Sequence, residues 1–149
     1  MKILFLDHHG VMRITPHPNP GILVDFDKNC VRILNEILES DDIQIVVSSD
    51  WKYWVSLEKM QEFYKEQGII KSPIDYTVKT IYDYNNYAEQ RANEIKLWLD
   101  THDVLTWAAV DDIDMRPYLT NFVWISEPSL GLQQSMKKEE LLLTLQSIS

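Results

Sequence analysis

The chain has 149 residues, with 23 acidic side chains against 14 basic ones and a formal net charge of −9. That balance excludes a broad cationic surface for strong non-specific nucleic-acid binding and leaves room only for a local basic patch. Hydrophobic residues at 45% and charged residues at 25% are globular values, and one domain over residues 1–149 is large enough to bury a core.

The single cysteine, Cys30, has no internal partner for a disulfide, which favours a reducing compartment and a buried structural role. No apolar run approaches the ~20 residues of a membrane span. The first apolar run is too short, and too soon acidic, for a secretory signal. The expectation is a cytoplasmic protein.

In chain order, Ile3-Leu4-Phe5-Leu6 is a fully apolar strand that runs into Asp7-His8-His9-Gly10-Val11. Residues 13–27, with Pro16, Pro18, Pro20 and Gly21, read as a flap or hairpin. Asp27 is a candidate N-cap for a helix with Val31, Ile33, Leu34, Ile37 and Leu38 on its apolar side. A polar turn at Ser40-Asp41-Asp42 leads to a strand over residues 43–47. A helix is predicted over 56–67, closed by Gly68.

Beyond it the pattern weakens. Residues 76–82 alternate enough for a short strand, and the Asn-rich stretch 84–87 reads as loop. A third helix is predicted over 88–101, with Ile95, Trp98 and Leu99 inward. A strand over 104–110, a turn after Asp114, a strand over 122–125 and a helix over 136–148 complete the chain. Strands alternating with helices give a single α/β domain: a Rossmann-like parallel sheet of about five strands covered on both faces.

Three of these strands end in polar groups. The first delivers Asp7, the second Ser48 and Ser49, and the strand before residue 111 delivers Asp111 and Asp112. The carboxyl ends of parallel strands are where open α/β sheets bind ligands. An aspartate there can attack phosphorus or bind a metal, and part of the negative charge fits a carboxylate cluster neutralised by a divalent cation.

In this combination the chain resembles the haloacid dehalogenase (HAD) superfamily of aspartate-nucleophile phosphatases. The family's Asp-x-Asp-Gly-Val/Thr stands here as Asp7-His8-His9-Gly10-Val11, its strand-two Ser/Thr as Ser48, and its late acidic pair as Asp111-Asp112. The phrases Cys30-Val31-Arg32-Ile33-Leu34-Asn35-Glu36-Ile37, Ser48-Ser49-Asp50-Trp51-Lys52, Arg91-Ala92-Asn93-Glu94-Ile95-Lys96-Leu97-Trp98-Leu99 and Asp111-Asp112-Ile113-Asp114-Met115, with Gly131-Leu132 after them, are similar to the small HAD domains of RNA-repair and phage proteins.

The resemblance implies that Asp7 attacks the phosphoryl group and forms an aspartyl-phosphate. It implies Mg²⁺ held by Asp7, the carbonyl of His9, and Asp111 or Asp112. It places Ser48, the amide of Ser49 and the Gly10 loop around the phosphoryl group. Arg91, twenty residues before Asp111, is the preferred fixed cation, with Lys96 as runner-up and Lys52 as a possible substrate contact. The cap expected of larger family members is minimal, because only 13–27 and 51–90 offer room for one. The implied function is a phosphomonoesterase acting on a phosphorylated substrate, such as a nucleotide or a nucleic-acid end.

His9 departs from the pattern, because the family places an acid/base aspartate there. Three readings stand side by side: histidine serves as acid/base, the enzyme is impaired or engineered, or the domain only binds phosphate. Other residues also carry two readings. Asp50 is a turn cap or a site residue, and Asp114 a metal carboxylate or an N-cap. Trp51, Tyr53 and Trp54 are core or a base-stacking platform, and Tyr82, Tyr84 and Tyr87 line the entrance or an exposed loop. His8 and His9 point in opposite directions, and no further His or Cys stands at zinc spacing. His17 and His102 read as surface residues. The phosphoesterases named for Asp-His-His need motifs upstream of that triplet. Only six residues precede it here, so that assignment is not expected.

Overall fold

A computed structural model describes residues 1–18, 21–39, 42–80 and 84–146. Five parallel strands form one sheet in the order β3-β2-β1-β4-β5. They are β1 (Lys2–Leu6), β2 (Ile43–Val47), β3 (Asp75–Tyr76), β4 (Thr106–Asp111) and β5 (Phe122–Trp124). Four helices connect or follow them: α1 (Lys28–Leu38), α2 (Leu57–Glu66), α3 (Tyr87–Asp100) and α4 (Lys137–Gln146).

β1 reads as an unbroken apolar run because it is central and covered on both faces. Leu4 and Leu6 join the larger core with residues of α1, α2 and α4, while Ile3 and Phe5 join Ala92, Ile95 and Trp98 of α3 on the other face. Phe5 sits edge-on to Trp98 and Trp107, with ring centres 5.6 and 5.9 Å apart. Three helices therefore cover one face and one covers the other.

The α1 start follows its sequence signal, because the Asp27 carboxylate accepts from the amides of Asn29 and Cys30 at 2.9 and 3.0 Å. Ser56 caps α2 in the same way, accepting from the Lys59 amide. Gly68 follows α2 at φ +81°, a left-handed geometry that ends a helix. Cys30 is buried, and burial raises its thiol to about 11.

Several boundaries move. β3 pairs with β2 over Asp75–Tyr76, and the Thr77 amide still donates to the Val47 carbonyl at 3.1 Å; residues 78–80 of the predicted strand lie outside β3, and 81–82 lie outside the described residues. The stretch read as loop is a 3-10 turn at Tyr84–Asn86, with Tyr87 already opening α3. Another 3-10 turn, Asp50–Tyr53, follows β2 where no element was predicted. Pro20, Ser40, Asp41, Tyr82 and the end of the predicted last helix lie outside the described residues, as does the side chain of Tyr84.

Neither expected insertion point holds an extra domain among the described residues. The described residues of 13–27 contain no helix or strand, and those of 51–90 contain elements of the basic plan. No helix among the described residues is long and apolar enough to cross a membrane.

Candidate functional site

The carboxyl ends of β1, β2 and β4 meet the first turn of α3 around a cleft of about 200 Å³. It is lined by Asp7, His9, Ser49, Asp50, Tyr87, Arg91, Asp112 and Ile113. The loop leaving β1 is pulled tight at once: the His8 carbonyl accepts from the amides of Val11, Met12 and Arg13, and the Gly10 amide donates to the Arg13 carbonyl at 2.6 Å. Gly10 sits at φ +76°, and a Cβ there would lie 2.4 Å from the Asp112 carboxylate. The expected glycine loop at the site thereby gains a physical reason, since only glycine lets Asp112 approach that loop.

Ligand oxygens of Asp7, Asp111 and Asp112 lie within 4.8 Å of one another. Burial, then the neighbouring Asp111 carboxylate, pushes the Asp7 carboxyl well above its ordinary range. The same two causes, in the same order, raise Asp112 to about 7. Three carboxylates gathered this closely repel unless a proton or a cation intervenes, and an all-oxygen donor set suits Mg²⁺. The residues present fit the ion that the sequence implies.

Arg91 supplies the fixed positive charge. Its Nη1 lies 2.8 Å from Asp111 and 3.2 Å from Asp7, and its Nη2 lies 3.2 Å from Asp50. Nη2 also donates to the Tyr87 hydroxyl, which in turn donates to the other Asp50 oxygen. Burial disfavours the guanidinium charge, but the surrounding carboxylates outweigh that and keep it well above its ordinary value. Its Nε is buried without a hydrogen-bond partner among the described residues.

Lys96 does not reach the cleft. Five residues beyond Arg91 it has turned away on the helix surface, and it is exposed. Lys52 does not line the cleft either, because its side chain is wholly buried. Its Nζ donates to Glu94 at 2.6 Å, to Thr77 at 2.9 Å and to the Ser48 carbonyl at 3.3 Å. Burial lowers the Lys52 ammonium from its ordinary value, against the pull of Glu94. Ser48 is buried at the end of β2, and Ser49 is the serine that lines the cleft. The Ser49 hydroxyl accepts from the Trp51 amide and starts the 3-10 turn.

The two histidines part as their alternation requires. His8 is enclosed by Phe26, Trp51 and Tyr64, with Nε2 2.7 Å from the Tyr64 hydroxyl. Burial holds it well below its ordinary pKa. His9 lines the cleft, and its Nε2 accepts from Trp51 Nε1–H at 3.0 Å. That bond leaves the ring proton on Nδ1 of a neutral imidazole. Burial, then Arg13 and Arg91, lower its pKa in the same direction.

The remaining two-way readings resolve on geometry. Asp114 accepts from the Arg116 amide and pairs with its guanidinium, so it is a local cap outside the carboxylate cluster. Trp51 is core at 1% exposure, Tyr53 is half-buried on Glu94, and Trp54 alone is open at 66%. His102 is exposed and stacks on Trp98, while His17 is half-buried. Asp50 and Tyr87, which the sequence leaves between two readings each, both line the cleft. A signal existed for Tyr87, which stands four residues before Arg91 and so shares its helix face.

Comparison with curated proteins and with solved structures gives no match. The family model for the HAD domain in Swiss Army Knife RNA repair proteins covers residues 3–136, and the all-parallel α/β sheet with its aspartates at the strand ends agrees with it. The chain belongs to this family of small HAD-type domains.

Proposed function

We propose that this domain is a Mg²⁺-dependent phosphomonoesterase that works through an aspartyl-phosphate on Asp7. The observation that carries this reading is the meeting of Asp7 with Arg91 and with Asp111 and Asp112 at one strand edge. Asp7 attacks phosphorus through a carboxylate oxygen, and Arg91 balances charge on the phosphoryl oxygens from a fixed position. Ser49 and the amides after β2 orient those oxygens. Asp7, Asp111 and Asp112 would hold Mg²⁺, with the His9 carbonyl beside them. The ion would supply Lewis-acid neutralisation of the phosphate charge.

The absence of an inserted domain among the described residues favours a substrate larger than the cleft. The family's description as a domain of RNA repair proteins favours a phosphate on a nucleic-acid end or nucleotide. The net charge of −9 favours a local contact over broad polyanion binding.

A second reading has its own observation. The Trp51 indole occupies His9 Nε2, the nitrogen that would take a proton, which favours an impaired phosphate-binding or regulatory domain. Hydrolysis of an aryl phosphate with and without Mg²⁺ separates the two. Parent activity that needs Mg²⁺ and vanishes in Asp7→Asn supports the phosphatase. A silent parent with an active His9→Asp variant makes His9 the lesion. Silence in all three favours the binding domain.

A further inference from the structure

Hydrolysis of a phosphomonoester needs a group that gives a proton to the leaving oxygen and takes one from the attacking water. The cleft offers few groups for this. His9 Nε2 is engaged by Trp51, the Ser49 hydroxyl accepts from the Trp51 amide, and the Tyr87 hydroxyl proton is directed at Asp50. Asp7 and Asp112, with the adjoining Asp111, form the carboxylate cluster. Among the described residues lining the cleft, Asp50 is the carboxylate outside that cluster.

Its setting suits proton transfer. Asp50 opens the 3-10 turn after β2, its side chain is 24% exposed, and it sits on the Arg91 prong opposite to the one that holds Asp7. One oxygen faces Arg91 Nη2 and the other accepts from Tyr87. A carboxylate has about four acceptor sites, so two remain, and one can take a proton from water and carry it for a leaving oxygen. Ser49 caps the turn, and the guanidinium and phenol on the two Asp50 oxygens fix the orientation of its carboxyl toward the cleft.

We propose that Asp50 is the acid/base of the reaction, a proposal that rests on the phosphatase reading of Asp7. In the first step an Asp7 oxygen bonds to phosphorus, the bond from phosphorus to the leaving oxygen breaks, and that oxygen takes the proton of the Asp50 carboxyl. In the second step a water oxygen bonds to phosphorus, the Asp7–phosphorus bond breaks, and the water proton passes to Asp50. The net change is phosphomonoester plus water to alcohol plus inorganic phosphate, with both aspartates restored.

The test is rapid mixing of the full chain and its Asp50→Asn variant with Mg²⁺ and p-nitrophenyl phosphate. Its leaving group departs without a proton, so Asp50→Asn should release a stoichiometric burst of nitrophenolate and accumulate phosphoprotein. Its steady-state rate should fall about 10²–10⁴-fold, the usual worth of acid–base assistance. Asp50→Glu, which keeps a carboxylate, should turn over faster than Asp50→Asn.

Three results overturn the proposal: an Asp50→Asn steady state within about threefold of the parent, loss of burst and steady state together, or equal rates for the Asn and Glu variants. The second would make Asp50 a positioning residue for Arg91. A parent that lacks Mg²⁺-dependent hydrolysis overturns this proposal and the phosphatase reading together. A parent that depends on Asp7, alongside an unimpaired Asp50→Asn, overturns this proposal alone.

Discussion

Two buried cations meet α3 one helical turn apart, and their surroundings differ in kind. Lys52 reaches Glu94 of α3, and its remaining donors go to Thr77 and the Ser48 carbonyl, all parts of the scaffold. Arg91, on α3 itself, is surrounded by Asp7, Asp111, Asp50 and Tyr87, four groups of the cleft or its floor. One cation ties the end of β2 to α3 and so fixes where the cleft wall stands. The other places charge where a phosphoryl group would develop it. Burial and sign of charge are shared, so the partners alone separate a structural role from a chemical one.

Breaking each ion pair sharpens that contrast. Lys52→Met leaves Glu94 buried without its cation and should cost about 3–5 kcal/mol, read from urea unfolding at pH 7. Adding Glu94→Leu should recover much of the loss, because two apolar groups replace a charge pair. If the single variant is as stable as the parent, Lys52 is no clamp. Arg91→Met should lower the hydrolysis rate about 10²–10³-fold, the scale for losing one preorganised charge. Mg²⁺ should partly relieve its stability loss, since it also neutralises the carboxylates, and should leave the Lys52→Met loss untouched.

The carboxylate cluster sets a pH dependence of known sign. Asp7 and Asp112 have folded-state pKa values above the ordinary 3.8, about 7 for Asp112. The metal-free fold therefore binds more protons than the unfolded chain in that window. Their contribution to stability is full below 3.8 and is lost as pH rises through about 7. His8, lowered below its ordinary 6.5, acts oppositely and weakens the fold as pH falls below 6.5. Mg²⁺ needs the ionised carboxylates, so its effect on the melting temperature should grow between pH 5.5 and 8. A shift of equal size at both ends would contradict the cluster as the cation site. The smallest effect is expected from Trp98→Phe, which removes the indole hydrogen bond to Asp75 at 2.8 Å. The lost bond and the small cavity left beside Phe5 should together cost about 1–3 kcal/mol and leave hydrolysis unchanged.

How far the sequence foretells these roles depends on how local each cause is. β1, β2 and β4 announce themselves as apolar runs because both faces are covered, and Asp27 announces α1 through its own carboxylate. Asp7 and Asp111 were legible because strand ends face the ligand edge in any sheet of this kind. Lys52 was misplaced because the acceptor that makes burial tolerable, Glu94, stands 42 residues away. Asp50 and Tyr87 are 37 residues apart and meet only once α3 packs beside the turn after β2. The hydrogen bond that His9 Nε2 accepts likewise comes from an indole 42 residues on. Local pattern carried the framework, and long-range pairing decided which polar groups work together.

The most direct test of Asp7 and Arg91 as a phosphoryl site is thermal unfolding with beryllofluoride, a mimic of a phosphoryl group on an aspartate. The parent should melt higher with beryllofluoride and Mg²⁺ together than with either alone, and Asp7→Asn should lose the increment. An absent increment in the parent, or an equal one in Asp7→Asn, would contradict the assignment of Asp7 as nucleophile.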